Sequence, residues 1–432
     1  MTDIAADAAP LAASPPAQQL SRIATLDIVR GIAVMGILTM NILAFSSPFQ
    51  AYLNPLAYGY ESQADLASWA FNFVVFDGKM RGLFSFLFGA STLLVIERAA
   101  ASGESPAKVH YMRMIWLLVF GLIHFYFIWF GDILSLYALC GLVLFFFRDL
   151  SARALVRWGI GFVVLQFLLF SSFALGAFYM AQATQQPGAD AELVRQWEEM
   201  QRFTVLTDQH ESRKMALFLG PWSGLVEDRL VKRGFEPFMG PLMFGWETIG
   251  YMLFGMAALK TGFFRGEWGV ASYRKTALIG FAIGIPAYVA MAWLLIRASF
   301  APEMMFAISM AATVPFRPVM ILAVAALIIL LTRNGGALVD RIAAAGRAAF
   351  TNYLATSIIM TTLFYGYGLG LYGSLSRTEL WIPVIGMWTF MLLWSKPWLD
   401  RFRFGPFEWL WRSLARMKLQ PLRKGADAPA EA

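Results

Sequence analysis

The chain has 432 residues, 58% of them hydrophobic and only 15% charged. A soluble domain averages about 45–50% apolar and about 25% charged, so a soluble fold is excluded; the excess falls in runs of about 17–25 residues, the length that crosses hydrocarbon as helix. The net charge of +7 would suit nucleic acid, but Lys and Arg sit at the ends of apolar runs and not on one solvated face, so the expected partner is the lipid bilayer.

These features predict an all-α, polytopic transmembrane helical bundle of about ten spans. The predicted spans are 28–46, 69–96, 113–131, 132–147, 154–180, 241–262, 275–297, 304–332, 347–366 and 380–399. Residues 1–21, Ala- and Pro-rich at first, form an expected disordered N-terminal tail with no basic and apolar leader pattern. Loops after the even-numbered spans carry the positive charge, including Arg98, Lys108, Arg113, Arg148, Arg153, Lys260, Arg265, Arg333 and Arg341. That alternation places both chain ends in the cytoplasm. A multi-pass protein of a bacterial inner membrane is expected.

The stretch 181–240 interrupts the pattern as a long polar segment and is expected outside, with a surface helix near Glu192–Gln201. It divides the helices of 22–180 from those of 241–399. The tail 400–432 is basic, and its Phe407–Arg416 run, mixing Trp409, Leu410 and Trp411 with arginines, predicts an interfacial helix. Spans three and four share too few residues for two full passes, so the tip near Trp129–Asp132 should be sunk below the outer surface. Pro315-Phe316-Arg317-Pro318 interrupts span eight, and broken helices at membrane depth line protein or a cavity.

Ionisable groups in hydrocarbon call for a reason, because each costs roughly 2.5–3.5 kcal/mol or more at the centre. Asp27, Arg30 and Asn41 fall within roughly 60° of one face of span one. Asp27, Arg30 and Asn41 are candidate substrate-binding residues; the alternatives are an interfacial ion pair for Asp27 and Arg30 and a contact between helices for Asn41. Asp77 and Arg81 are spaced to pair on span two, with Lys79 pointing elsewhere to snorkel or reach a cavity. His124 lies near mid-membrane with Asp132 at the sunken tip, a combination suited to a general base or a packing contact. Glu247 is a fourth, weaker candidate. Cys140 stands alone and the three histidines are scattered, so no metal site is expected. Gly366-Tyr-Gly368-Leu-Gly370-Leu-Tyr-Gly373 follows a membrane helix and not a strand, which removes the dinucleotide reading and leaves a turn or close packing. Gly280 and Gly284 have small-residue packing spacing.

Several motifs resemble those of the YeiB-like integral membrane family, the domain of unknown function 418. They are Leu26-Asp27-Ile-Val-Arg30-Gly31; Phe76-Asp77-Gly78-Lys79 through Leu87-Phe88-Gly89; Gly131-Asp132-Ile-Leu-Ser-Leu-Tyr137-Ala138; Gly346-Arg347-Ala-Ala-Phe-Thr351-Asn352-Tyr353-Leu354; and Phe404-Gly405-Pro406-Phe-Glu408-Trp409. The first two are also distantly similar to a wider membrane acyltransferase superfamily, which includes acyltransferase family three and the heparan-glucosaminide acetyltransferases. The similarity lies in Asp27, Arg30, Gly31, Ala33, Asp77 and Phe88-Gly89. It implies transfer from cytoplasmic acyl-CoA to a small-molecule, lipid or glycan acceptor. The acyltransferase-three pattern has its functional His where this chain has Asn41, whose amide is no useful base. On this reading His124 is the base, assisted by Asp132, with Asp77 as an alternative. Asp77, Lys79 and Arg81 orient the acceptor or stabilise developing charge, and Asp27 and Arg30 shape the donor entrance. The competing expectation is a transporter for a small anionic metabolite, which would use the same intramembrane charges and the broken span. A non-catalytic interaction protein is the third. Beyond acyl-CoA as a possible donor, no cofactor is implied.

Overall fold

The computed structural model describes residues 24–424; the expected tail over 1–21 and the residues after 424 lie outside them. Apart from one isolated bridge, between Phe402 and Arg423, regular structure among the described residues is helical. Six helices are long and apolar enough to cross a membrane, or seven if a bent pair is one span. The protein is therefore a polytopic helical membrane protein.

Helix α1, Ala24–Ser46, runs through the centre, and 78% of its apolar window is buried within the protein. After the short α2, Gln50–Leu53, come α3, Gln63–Val75, and α4, Lys79–Ala101. They are near-continuous over 39 residues, too long for one perpendicular crossing of roughly 30 Å of hydrocarbon. Gly78, at φ +69°, turns the chain between them, a conformation that glycine adopts without strain.

Helix α5, Pro106–Ile123, passes through a π-turn at His124–Ile128 into an extended tip, and α6, Leu134–Leu144, returns from it. The tip is buried within the protein. Trp129 is 1% exposed and stacks on Phe45 at 3.8 Å. Protein fills the space above it. Helix α7, Ala152–Ala183, is peripheral, with 28% of its window buried and Leu168 and Leu175 facing outward.

The polar segment forms α8, Ala191–Gln201; α9, Asp208–Phe218; α10, Trp222–Glu227; and a π-turn, Asp228–Lys232. It caps one end of the bundle. Trp222 Nε1 donates to Phe127 O at 2.9 Å, Tyr126 Oη to Gly234 O at 2.5 Å, and Asn54 Nδ2 to Thr204 O at 3.0 Å.

Helix α11, Glu236–Lys260, lies between α4 and α7. A Cβ at Gly89 would stand 1.9 Å from Met252 O, and one at Gly255 would stand 1.8 Å from Phe86 O, so the two backbones touch. Helix α12, Val270–Arg297, packs on α14, Arg317–Thr332, where Gly280 and Gly284 meet Ala323 and Met320 as their spacing predicts. The short α13, Pro302–Met305, continues as a π-turn, Phe306–Ala312, and the chain then bends by 57° into α14.

Helices α15, Ala337–Arg347, and α16, Ala349–Phe364, meet α1, and α17 follows at Trp381–Arg401. The helix expected over Phe407–Arg416 appears as α18, Pro406–Ala415. Gly346 packs against Asp27 O, while Arg347 Nη2 donates to Arg403 O at 3.5 Å, so the two ends of the described chain lie at the same end of the bundle.

The ten predicted spans all fall on helical chain, but six or seven reach the length and hydropathy of a crossing: span two is divided into α3 and α4, span eight is bent between α13 and α14, and Leu134–Phe147 and Ala349–Phe364 are too short. Helix α17 is long enough, but its four tryptophans and Lys396 lower its hydropathy.

Candidate functional site

Three polar clusters line the bundle. At the end of the bundle where the first and last described residues lie, Arg30 Nη1 pairs with Asp27 Oδ1 at 2.9 Å, and its Nη2 donates to Ser91 Oγ at 2.6 Å. The ion pair thus forms as the i,i+3 spacing predicts, and Arg30 also ties α1 to α4. Arginines from other elements gather here. Arg113 lies 4.1 Å over the Trp411 ring, within electrostatic reach of Arg412, Arg416 and Arg30. Burial, opposed by Glu408 and reinforced by Arg416, Arg98 and Arg30, pushes the Arg412 guanidinium down to about 10.

The second cluster centres on Glu247, which is fully buried on α11. Arg81 from α4 pairs with its Oε1, and Arg317 from α14 with its Oε2 at 2.9 Å. Tyr251 Oη donates to Oε2 at 3.2 Å. Arg317 further donates to Thr313 Oγ1 at 2.7 Å and Ser309 O at 2.9 Å. The bend before α14 brings Arg317 to Glu247. Arg81 therefore takes Glu247 as its partner, not Asp77, because the packing of α11 on α4 brings that carboxylate to its guanidinium. Lys79 neither snorkels nor opens to a cavity: Nζ donates to Phe73 O at 2.6 Å and sits 3.2 Å from the Tyr288 ring centroid. Asp77 is half-buried at the Gly78 turn, close enough to influence Lys79 and Arg317 electrostatically.

The third cluster is His124 with Asp132. Nδ1 of His124 is 3.0 Å from Asp132 Oδ1, and the two side chains are 0% and 1% exposed. Asp132 is held by Leu134 N at 3.1 Å, Ser135 N at 2.8 Å and Ser135 Oγ. Nε2 of His124 is buried without a hydrogen-bond partner. Tyr353 packs on the imidazole at 5.2 Å between centroids, and its hydroxyl accepts from Ile133 N at 3.3 Å.

Tyr353 faces two ways. With Asn41, Phe45, Thr356 and Ser357 it lines a crevice of about 10 Å³, so Asn41 and His124 border the same tyrosine. Tyr137, an electrostatic neighbour of Tyr353, donates to Arg81 O at 3.0 Å and meets Ser85 Oγ at 2.7 Å. Tyr137 of α6 therefore lies between the second and third clusters, bonded to the Arg81 backbone and to Ser85 of α4. Among the described residues, no three His, Cys, Asp or Glu side chains converge as metal ligands.

Sequence reasoning did not nominate Arg317, Tyr137 or Tyr353 as site residues. The signal for Arg317 was present: it is an ionisable residue inside the interruption of span eight.

A membrane-embedded helical bundle with buried ion pairs and a histidine–carboxylate pair defines the class. The chain belongs to the DUF418 family. The family model described as "Protein of unknown function (DUF418)" matches residues 258–418. YxaH of Bacillus subtilis (strain 168) is 33% identical over 423 residues, covering 93% of this chain and 96% of the relative. YeiB of Escherichia coli (strain K12) is 32% identical over 406 residues, 91% of this chain and 96% of its own. A 39.9 kDa protein in the amylase 3' region of Bacillus acidopullulyticus is 25% identical over 409 residues, 94% and 98% of the two chains. No solved structure matches the chain.

Proposed function

We propose that this protein is a membrane-embedded acyl-transfer enzyme of the bacterial inner membrane, with about ten passes and both ends cytoplasmic. The same-end placement of the described termini supports the topology. One observation carries the chemistry: Asp132 binds Nδ1 of His124, while Nε2 is left buried and unpartnered.

A carboxylate on Nδ1 favours the tautomer with the proton there, leaving Nε2 as the basic lone pair. Nε2 takes the proton of an acceptor hydroxyl as its oxygen attacks the thioester carbonyl of acyl-CoA. The carbon–sulfur bond breaks, and the departing thiolate recovers the proton from the imidazolium. Asp132 stabilises that imidazolium without being protonated. Asp27 and Arg30, beside the arginines of α5 and α18, shape the entrance for the anionic donor. Asp77 and Arg81 orient the acceptor, the role their motif implies, and Lys79, sealed against Phe73 O and the Tyr288 ring, acts only through the field it adds. Purified protein in proteoliposomes, given labelled acyl-CoAs and a cell extract, should transfer label to an acceptor. Full transfer by His124→Ala would refute the mechanism.

One observation favours transport of a small anion instead: Glu247 is shared by Arg81 and by Arg317 at the bend of a broken helix. Uptake of a substrate without covalent change in it would decide for that reading.

A further inference from the structure

Beneath the outer cap, on the same side as the buried tip, lies a second set of buried polar atoms outside the acyl-transfer machinery. Arg229, in the π-turn after α10, is 2% exposed. Its Nη1 reaches Tyr126 O at 3.5 Å, and its Nη2 has no partner. Its carboxylate neighbour Asp228 is engaged with Lys232 at 3.2 Å. Burial pushes this guanidinium below its ordinary value, with Tyr365 opposing and Arg233 adding to the effect.

Three more donors face the same region without partners: Trp129 Nε1, Tyr365 Oη and Tyr372 Oη. Tyr365 is an electrostatic neighbour of Arg229, and Trp129 Nε1 faces its hydroxyl just outside hydrogen-bond geometry, so a ligand here would compete only with that weak contact. The Tyr365 and Tyr372 rings lie 6.1 Å apart, and Phe218 of the cap stacks on Tyr372 at 4.6 Å. Trp129 also packs edge-on to His124, with centroids 6.2 Å apart.

A buried polar group left unpaired costs about 1–3 kcal/mol, more when charged, and native interiors hold few of them. Four donors in one neighbourhood, one of them a cation with no free carboxylate, share one chemical need. A water satisfies a hydroxyl but does not neutralise a guanidinium. An oxyanion does both, and Arg is suited to carboxylate and phosphate.

We propose that the region beneath the cap binds an oxyanion, a carboxylate or phosphoryl group, with Arg229 as its cationic anchor and Trp129, Tyr365 and Tyr372 as donors. The contact between Trp129 and His124 then makes the acceptor an anionic molecule whose charged group is held beside the base. That last step rests on the acyl-transfer reading, whereas the binding site does not.

The test is binding by the purified full chain without acyl-CoA, so that it is read apart from transfer. Unfolding temperature is followed with sodium phosphate or sodium succinate against sodium chloride at equal ionic strength. A parallel arm compares phosphatidylglycerol with phosphatidylcholine nanodiscs. One free anion should raise the unfolding temperature, and Arg229→Gln should weaken its apparent affinity at least tenfold, with Arg229→Lys intermediate. A response to phosphatidylglycerol alone, lost in Arg229→Gln, would identify the oxyanion as a lipid headgroup. If Arg229→Gln does not fold, Trp129→Phe removes one donor and keeps the ring, and should weaken binding severalfold. Stabilisation by neither anion nor lipid, or equal stabilisation of the wild type and the folded variants, would overturn the proposal.

Discussion

His124 Nδ1 lies 3.0 Å from Asp132 Oδ1 across the buried tip between α5 and α6. The π-turn from His124 to Ile128 ends with Trp129 N donating to His124 O at 2.8 Å, which lets the chain double back within the protein. Asp132 caps the start of α6 through Leu134 N and Ser135 N. The carboxylate that orients the imidazole is therefore held by the helix it caps. Such support holds the imidazole within a narrow geometry, as the proposed acyl transfer needs of its base.

Substituting Asp132 separates orientation from presence of the base. Asp132→Asn keeps an acceptor oxygen for α6 but cannot stabilise an imidazolium. Transfer from labelled acyl-CoA in proteoliposomes should fall by about 10²–10⁴-fold, with the unfolding temperature little changed. Wild-type transfer by the folded variant would remove His124–Asp132 from the chemistry.

Glu247 should matter more for folding than for turnover. It is fully buried and answers two guanidinium groups, from Arg81 and Arg317. Removing one partner of a buried pair costs about 3–5 kcal/mol, because the opposite charge is left unanswered. Glu247→Ala should therefore lose most of its folded yield in detergent, as read by size-exclusion chromatography. Joint replacement of Glu247, Arg81 and Arg317 by Leu or Met should recover part of it. A single variant that elutes and melts like the wild type would show the cluster to be open to water.

The sequence carried the one-dimensional features well. Apolar runs found the helices, the acidic and basic pattern of 191–201 found a surface helix, and Trp409, Trp411 and Arg412 found α18. Hydropathy reports length of apolar chain but not depth: it marked α6 as too short for a full pass, but not that span two begins at Gln63 and is divided at Gly78 into α3 and α4. Ion-pair partners were legible only where they were local. Asp27 and Arg30 share a helix, whereas Arg81 and Glu247 lie 166 positions apart and meet through the packing of α4 on α11. The orphaned donors around Arg229 were not legible, because burial of a polar segment by its own cap leaves no periodic trace.

Glu408 links two of the motifs through a helix cap. Its carboxylate accepts from Phe350 N at 2.7 Å and Thr351 N at 3.0 Å, satisfying two donors that the start of α16 would otherwise leave unpaired. Loss of a capping side chain costs about 0.5–2 kcal/mol. Glu408→Ala should lower the unfolding temperature by a few degrees and speed proteolysis after Arg401, where α18 would lose its dock. Glu408→Gln retains an acceptor and should sit between. Equal melting of all three proteins would assign the docking of α18 to Trp411 and its neighbours alone.

Gly346 tests the crossing of α1 and α15. An added Cβ there would stand 1.8 Å from Asp27 O and 2.6 Å from Gly31 N, both backbone atoms that cannot rotate away. The helices must separate, and overpacking of this kind costs about 1–3 kcal/mol. Because the displaced segment carries Asp27 and Arg30, Gly346→Ala should also weaken the effect of acyl-CoA concentration on transfer more than it slows the maximal rate. Gly161 of α7 is the control: nothing lies within 4 Å of its added Cβ. Gly161→Ala should be neutral or stabilise by about 0.5–1 kcal/mol, the usual gain of alanine over glycine within a helix. Indistinguishable melting of the two variants would mean that the α1–α15 contact is looser than its geometry requires.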